Sequence, residues 1–158
     1  MFVRSDNNSR FAYQFQPPNG AIQTGKPLKT HLDEVNFKVP ETSIQFGITV
    51  DPVRINSLRE FGTPEEVAAK VVLAEVNRDG VTDVTLVLDP QQFTSQGVLY
   101  YELNYLSVGK RGLKHFVARF AIAQQKLYTM TAQCKEEDYN EVKSRLQSAV
   151  ESFSVLAV

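Results

Sequence analysis

Apolar residues alternate with polar ones along most of the stretch from Gly97 to Gln133, which predicts three consecutive β-strands. The strands are placed over residues 98–106, 115–122 and 127–132. They are rich in aromatic and β-branched residues, which favour a pleated sheet. Because side chains alternate between the two faces of a strand, Glu102, His115 and Arg119 are predicted to lie opposite the apolar set.

The same alternation predicts further strands elsewhere in the chain. They are placed over residues 11–15, 43–50 and 82–88, with a short one inside 31–38. Residues 1–10 are predicted to form a loose N-terminal segment, although Phe2 and Val3 could pair with a sheet edge. Residues 21–32 and 91–96 are predicted to be loops, and Phe153 to Val158 a short extended tail.

Two amphipathic helices complete the pattern. The first is predicted from Thr63 to Asn77, because Thr63 can cap the helix, Pro64 suits its first position and Glu66 follows the cap as in a capping box. The second is predicted from Glu136 to Ser152, with an apolar stripe at helical spacing.

Strands and helices in this order predict one α+β domain over residues 11–158, in which two helices cover a mostly antiparallel sheet of about six strands. If the helices lie on opposite faces, the sheet becomes the middle layer of a sandwich. The second face of the sheet is then covered by a helix as well.

Composition and charge narrow the possible functions. The chain of 158 residues is 42% hydrophobic and 22% charged, with 17 basic and 18 acidic residues and a net charge of −1. These values exclude the strongly basic balance of nucleic-acid binders and the low hydrophobicity of disordered chains. The single cysteine, Cys134, cannot form an internal disulfide. No apolar run approaches the roughly 20 residues that a membrane span needs.

Three stretches together resemble the PsbP family of thylakoid-lumen proteins. They are FAYQFQPP at residues 11–18, LREFGTPEEV at 58–67, and a third that runs from YYELNY at 100–105 through KLYT at 126–129 to VESFSV at 150–155. Two features depart from the family pattern. No tryptophan follows the first proline turn, and only about ten residues precede Phe11. The chain is therefore expected to be a PsbP-like or PsbP-domain paralogue.

The resemblance implies an α-β-α sandwich and a location in the chloroplast thylakoid lumen. It further implies a non-enzymatic accessory or assembly factor, peripheral to the membrane and monomeric. The implied partner is photosystem II with its oxygen-evolving complex, photosystem I or the NADH dehydrogenase-like complex. The alternative is a lumenal protein that binds a small ligand, in a pocket between the sheet and the first helix, or a calcium, manganese or zinc ion.

Five residues around the loop at positions 108–112 are predicted to bind a partner: Lys110, Arg111, Lys114, His115 and Arg119. Their charges would steer an acidic partner towards this surface. The alternative is a solvated hairpin tip that discourages edge-to-edge pairing. Glu102 is predicted to form a cross-strand ion pair with Arg119 or its neighbours.

His31 and Asp33 are the candidate metal ligands. On an extended segment they share one side, and their imidazole and carboxylate groups suit calcium, manganese or zinc. The alternative is an ordinary polar loop edge. The sequence contains no recognisable catalytic motif. Cys134 is predicted to be a small buried hydrophobic residue. The sequence therefore predicts that the protein is not an enzyme.

Overall fold

The computed structural model describes residues 1–6, 8, 10–25 and 30–157. The strands in these ranges are β1 (Phe2–Ser5), β2 (Ala12–Phe15), β3 (Ile22–Thr24), β4 (Asp33–Lys38), β5 (Gln45–Pro52), β6 (Val81–Leu86), β7 (Gln91–Ser95), β8 (Val98–Gly109), β9 (Gly112–Ala123), β10 (Lys126–Lys135) and β11 (Ser154–Val155). The helices are α1 (Leu58–Phe61), α2 (Pro64–Val76) and α3 (Tyr139–Ser152), the last preceded by a 3-10 turn at Glu136–Asp138.

The central sheet is antiparallel throughout. Its strand order is β3-β4-β5-β10-β9-β8-β6, and β7 pairs with the first half of β8, which makes eight strands within the described ranges. The sequence predicted about six, so this number is corrected. The extra strands β3 and β7 lie in stretches predicted as loops, and positions 26–29 of the first of these stretches lie outside the described residues.

The two faces of the central sheet are packed by different helices, as the sequence predicted. One face, here called the α3 face, carries Tyr128, Met130, Ala132 and Cys134 of β10 against Val142, Leu146 and Val150 of α3. The opposite face, here called the α2 face, carries apolar residues of β8 and β9 against Leu58 of α1 and Val67 and Ala68 of α2. The fold is thus an α-β-α sandwich with the sheet in the middle.

A second, smaller sheet packs into the core of the α3 face. Its strand order is β1-β2-β11. Tyr13 and Phe15 of β2 are fully buried, and Phe2 of β1 packs with its ring centroid 5.3 Å from those of Phe15 and Phe37. The alternative that Phe2 and Val3 pair with a sheet edge is therefore confirmed, and the segment is not loose over Phe2–Ser5. Positions 7 and 9 lie outside the described residues.

Helix α2 begins as its sequence predicts. Thr63 Oγ1 accepts a hydrogen bond from the Glu66 amide at 3.1 Å, and Glu66 Oε1 accepts one from the Thr63 amide at 3.1 Å. This capping box satisfies two amides that the helix itself leaves free. Neither α2 nor any other helix in the described ranges is long and apolar enough to cross a membrane.

Candidate functional site

Helix α2 covers only part of its face of the sheet. It packs over β6 and β8, whereas β4, β5 and the second half of β10 present polar side chains in the same direction. The residues on this uncovered area are mainly amides and hydroxyls: Asn36, Gln45, Thr49, Thr129, Thr131 and Gln133. They line a groove of about 470 Å³ that is open to solvent.

A second groove continues the first towards the end of α2. It has a volume of about 570 Å³ and shares Gln45 and Gln133 with the first groove. We call the two grooves together the polar trough. Its far end is lined by Arg78, Lys110, Arg111 and Lys114, together with the acidic residues Glu75 and Asp79.

The β8–β9 hairpin places two cations at the rim of the trough. Lys110 and Arg111 form the two-residue connection between Gly109 and Gly112, and both are exposed. Gly112 has a φ of +95°, which a residue with a side chain rarely adopts. The Lys110 amide donates a hydrogen bond to the Gly80 carbonyl at 2.9 Å, so the loop is anchored to the turn after α2.

Glu75 is the acidic group at the inner wall of the trough, and it is already bonded within the protein. Its Oε2 accepts a hydrogen bond from Arg78 at 3.1 Å, and its Oε1 accepts one from Ser107 at 3.3 Å. The polar groups between α2 and the sheet therefore bind one another. The groove touches α2 only at Glu75, near its C-terminal end, so a ligand pocket between the sheet and the first helix stays a prediction.

His115 does not belong to the exposed basic patch in which the sequence placed it. Its side chain lies on the α3 face and the residue is only 2% exposed. Its ring stacks on Tyr139 with centroids 3.5 Å apart, and its two nitrogens are hydrogen-bonded to Glu136 and Asn104. Lys114 precedes it in the strand and points to the opposite face, into the trough.

Arg119 is also removed from the predicted contact patch, because it is only 5% exposed. Its Nη2 donates to Glu102 Oε1 at 2.8 Å, so the predicted cross-strand ion pair between β8 and β9 is confirmed. Its guanidinium lies 4.4 Å from the ring centroid of Phe93 on β7. Of the five predicted partner-binding residues, Lys110, Arg111 and Lys114 remain accessible.

The two predicted metal ligands lie on opposite faces of the sheet. Asp33 is 8% exposed on the α3 face, where it accepts hydrogen bonds from Tyr13 at 2.7 Å and Arg4 at 2.9 Å. His31 instead contacts Asp51 at 2.6 Å. The predicted placement of His31 and Asp33 on one side of an extended segment is therefore wrong, because His31 lies in a bend before β4 and the strand alternation does not extend to it.

His31 also lies 4.0 Å from Glu34, but this contact and the one to Asp51 do not make a metal centre. In the described part of the chain, no three histidine, cysteine or carboxylate side chains are placed so that they could hold a metal ion. Binding of calcium, manganese or zinc stays a prediction of the sequence.

Cys134 is a buried core residue, as predicted. It is 1% exposed and faces His115 across the β9–β10 pair. Burial raises the pKa of its thiol to about 11, with smaller contributions from Glu136 and Asp138. A thiol that stays protonated at neutral pH is a poor nucleophile.

The comparisons with known proteins cover nearly the whole chain. A family model described as PsbP matches residues 4–155. PsbP-like protein 1, chloroplastic, from Arabidopsis thaliana is 25% identical over 154 residues, which cover 96% of this chain and 63% of that protein. This chain thus spans less than two thirds of the length of that relative.

Two further matches involve CyanoP proteins. CyanoP from Thermosynechococcus vestitus is 24% identical over 151 residues, which cover 90% of this chain and 80% of that protein. The solution structure of cyanobacterial PsbP (CyanoP) from Synechocystis aligns with a TM-score of 0.77 at 21% identity and covers 98% of this chain and 92% of that one. The structural match supports the fold described above.

Proposed function

The chain belongs to the PsbP family, and on that basis we propose that it is a non-enzymatic accessory protein of photosynthesis that docks on a membrane protein complex in the thylakoid lumen. The observation that carries this proposal is the family match from residue 4 to residue 155, which includes all three helices and nearly all of the strands. The candidate partners are photosystem II with its oxygen-evolving complex, photosystem I and the chloroplast NADH dehydrogenase-like complex.

Exposed positive charges support docking by electrostatic attraction. Lys110 and Arg111 project from a turn that hydrogen bonds hold in place, and Lys114 lies beside them on the α2 face. None of the three forms an ion pair with another described residue. Exposed cations that are free of internal partners attract and orient an acidic surface.

A co-purification experiment tests this function. The tagged chain is incubated with detergent-solubilised thylakoid membranes, and the recovered complexes are identified by mass spectrometry. We expect recovery of one photosynthetic complex with the wild-type chain. The variant Lys110→Glu/Arg111→Glu should keep its melting temperature, because both residues are exposed. It should lose about tenfold in recovery, which corresponds to a loss of about 1.4 kcal/mol of binding free energy.

The matched control is Lys143→Glu/Arg145→Glu, which makes the same charge change on α3. It should bind like the wild type. If the wild-type chain recovers no photosynthetic complex, the proposed function is wrong. If both double variants lose recovery equally, the complex responds to net charge and the Lys110–Arg111 turn is not the contact.

A further inference from the structure

We propose that the polar trough binds an extended, acidic segment of a partner protein. This inference rests on the proposed function, because it names the surface and the partner chemistry that docking would use. The trough runs across the uncovered half of the α2 face, from Thr24 beside β4 to Lys110 and Arg111 at the β8–β9 turn.

The charge of the trough differs from that of the whole molecule. Five cations line it, Lys38, Arg78, Lys110, Arg111 and Lys114, against the two carboxylates Glu75 and Asp79. Among the residues that line the trough this leaves an excess of three positive charges, in a chain whose net charge is −1. The Glu34 carboxylate lies on the same face and accepts a hydrogen bond from Asn36 at 3.2 Å. Within the described ranges, only Arg78 and Glu75 among these seven residues form an ion pair, and they form it with each other.

The floor of the trough suits a polypeptide backbone. Thr49, Thr129, Thr131 and Gln133 are partly buried, and their hydroxyl and amide groups can both donate and accept hydrogen bonds. Gly47 lies among them and adds no side chain. An extended guest chain presents the same alternation of amide donors and carbonyl acceptors. The cations at the rim would pair with acidic side chains of that guest.

The length of the trough sets the length of the guest. One row of paired residues, Ile22, Lys38, Gln45, Gln133 and Phe116, crosses five neighbouring strands. At about 4.8 Å between strands this row is about 19 Å long, which an extended peptide of about six residues spans. A flat membrane surface could reach the exposed rim at Lys110 and Arg111, but not the recessed threonine floor. The geometry therefore favours a peptide over a lipid bilayer.

Fluorescence anisotropy at low ionic strength tests this site directly. The probe is a labelled peptide of about eight residues in which glutamate alternates with serine, and its counterpart carries glutamine in place of glutamate. We expect the acidic peptide to bind the wild-type protein. The glutamine peptide should bind at least about tenfold more weakly, because it cannot form charge pairs with the cations at the rim.

Two variants probe the rim and the floor separately. Lys38→Glu/Lys114→Glu should weaken peptide binding at least about tenfold, since it replaces attraction by repulsion. Thr131→Trp keeps the charge and fills the floor with a residue that strands accept, and it should weaken binding to a similar extent. The control Lys126→Glu/Lys143→Glu, whose residues do not line either groove, should bind within about twofold of the wild type.

Each outcome supports or overturns the proposal. Absence of acidic-peptide binding to the wild type overturns it, and so does undiminished binding by Thr131→Trp in a variant that circular dichroism shows to be folded. Equal losses in the rim and control variants would show non-specific charge attraction and would also overturn the site. Binding of anionic phosphatidylglycerol vesicles without binding of the peptide would assign the surface to a membrane and overturn the peptide site.

The proposed function and the proposed peptide site can each fail without the other. In the co-purification assay, recovery of a photosynthetic complex by the wild type and by Thr131→Trp alike would keep the function and reject the trough as its contact. Peptide binding without recovery of any photosynthetic complex would keep the site and reject the function.

Discussion

Arg119 shows how one buried cation joins its own strand to three other elements. It extends from β9, donates to Glu102 of β8 at 2.8 Å and to the Glu151 carbonyl of α3 at 3.3 Å, and lies over the ring of Phe93 on β7. The Glu102 side chain is only 17% exposed. Gln147 donates a further hydrogen bond to this carboxylate at 3.2 Å, and among the described residues Arg119 is the charged partner that compensates its burial.

We expect Arg119→Leu to lower the free energy of unfolding by about 3 kcal/mol, since removing one partner leaves the other charge buried and unpaired. Urea denaturation followed by circular dichroism measures this change. The double variant Arg119→Leu/Glu102→Leu removes both charges and should recover a large part of the loss. A loss of less than about 0.5 kcal/mol in the single variant would show that the pair behaves like an exposed one.

The same residues show what the sequence could not resolve at this scale. Lys114, His115 and Arg119 are close in the sequence, and their common positive or titratable character suggested one surface. Strand parity separates them, because Lys114 faces the trough whereas His115 and Arg119 face α3. The sequence could predict which side chains share a face of the strand. It could not predict which face stays open to solvent, because that depends on where the helices pack.

At the scale of elements, glutamine forms two of the tight turns. Gln124 and Gln125 connect β9 to β10 with φ values of +50° and +59°, and Gln96 precedes Gly97 between β7 and β8 with a φ of +50°. Hairpin turns of two residues with positive φ favour asparagine and glycine. The Gln124–Gln125 pair lacks both residue types. Strand β7 has no buried residue, so the sequence predicted a loop in its place.

We expect Gln124→Asn/Gln125→Gly to raise the free energy of unfolding by about 1 kcal/mol, because residues in the left-handed region cost about 1 kcal/mol or more when they carry an unsuited side chain. The shift of the thermal midpoint measures it. The control Gln92→Asn makes the same kind of change in the extended strand β7 and should bring no gain. A destabilised turn variant would mean that the glutamine side chains make stabilising contacts of their own.

At the scale of the whole molecule, the sandwich could be predicted because its elements are long and periodic. The capping box at Thr63, the apolar stripe of α3 and the meander from β8 to β10 each carry a strong local signal. The small sheet β1-β2-β11 joins distant parts of the chain, so it could not be derived from local patterns. The polar trough was missed for a related reason, since it exists only because α2 leaves half of its face uncovered.

The tyrosines make the whole fold sensitive to high pH. Burial raises the pKa of five of the six tyrosines, Tyr13, Tyr100, Tyr101, Tyr105 and Tyr128, above the ordinary value of 10.0. The folded protein therefore keeps these phenol protons at a pH where the unfolded chain loses them. By linkage, stability is fully present below pH 10 and falls as the pH rises beyond it.

We expect the free energy of unfolding to fall steeply above about pH 10, with a smaller loss from Cys134 beginning near pH 9. Urea titrations between pH 8 and pH 11 measure it, and the phenolate absorbance at 295 nm should rise together with loss of the circular dichroism signal. Tyr105→Phe keeps the ring and removes one titrating hydroxyl, so its pH dependence should be shallower. Phenolate absorbance that corresponds to several ionised tyrosines while the fold stays intact would contradict the linkage.

The strand β2 lies in the small sheet between β1 and β11, and this has a consequence for the order of folding. The Gln16 amide donates to Ser152 Oγ across 136 positions of sequence, and the Ala12 amide donates to the Tyr128 hydroxyl across 116. Contacts of such long range form only after the intervening chain has collapsed. The hairpins from β8 to β10 contact close neighbours and can form early, so we expect the pairing of β2 with β11 to close after them.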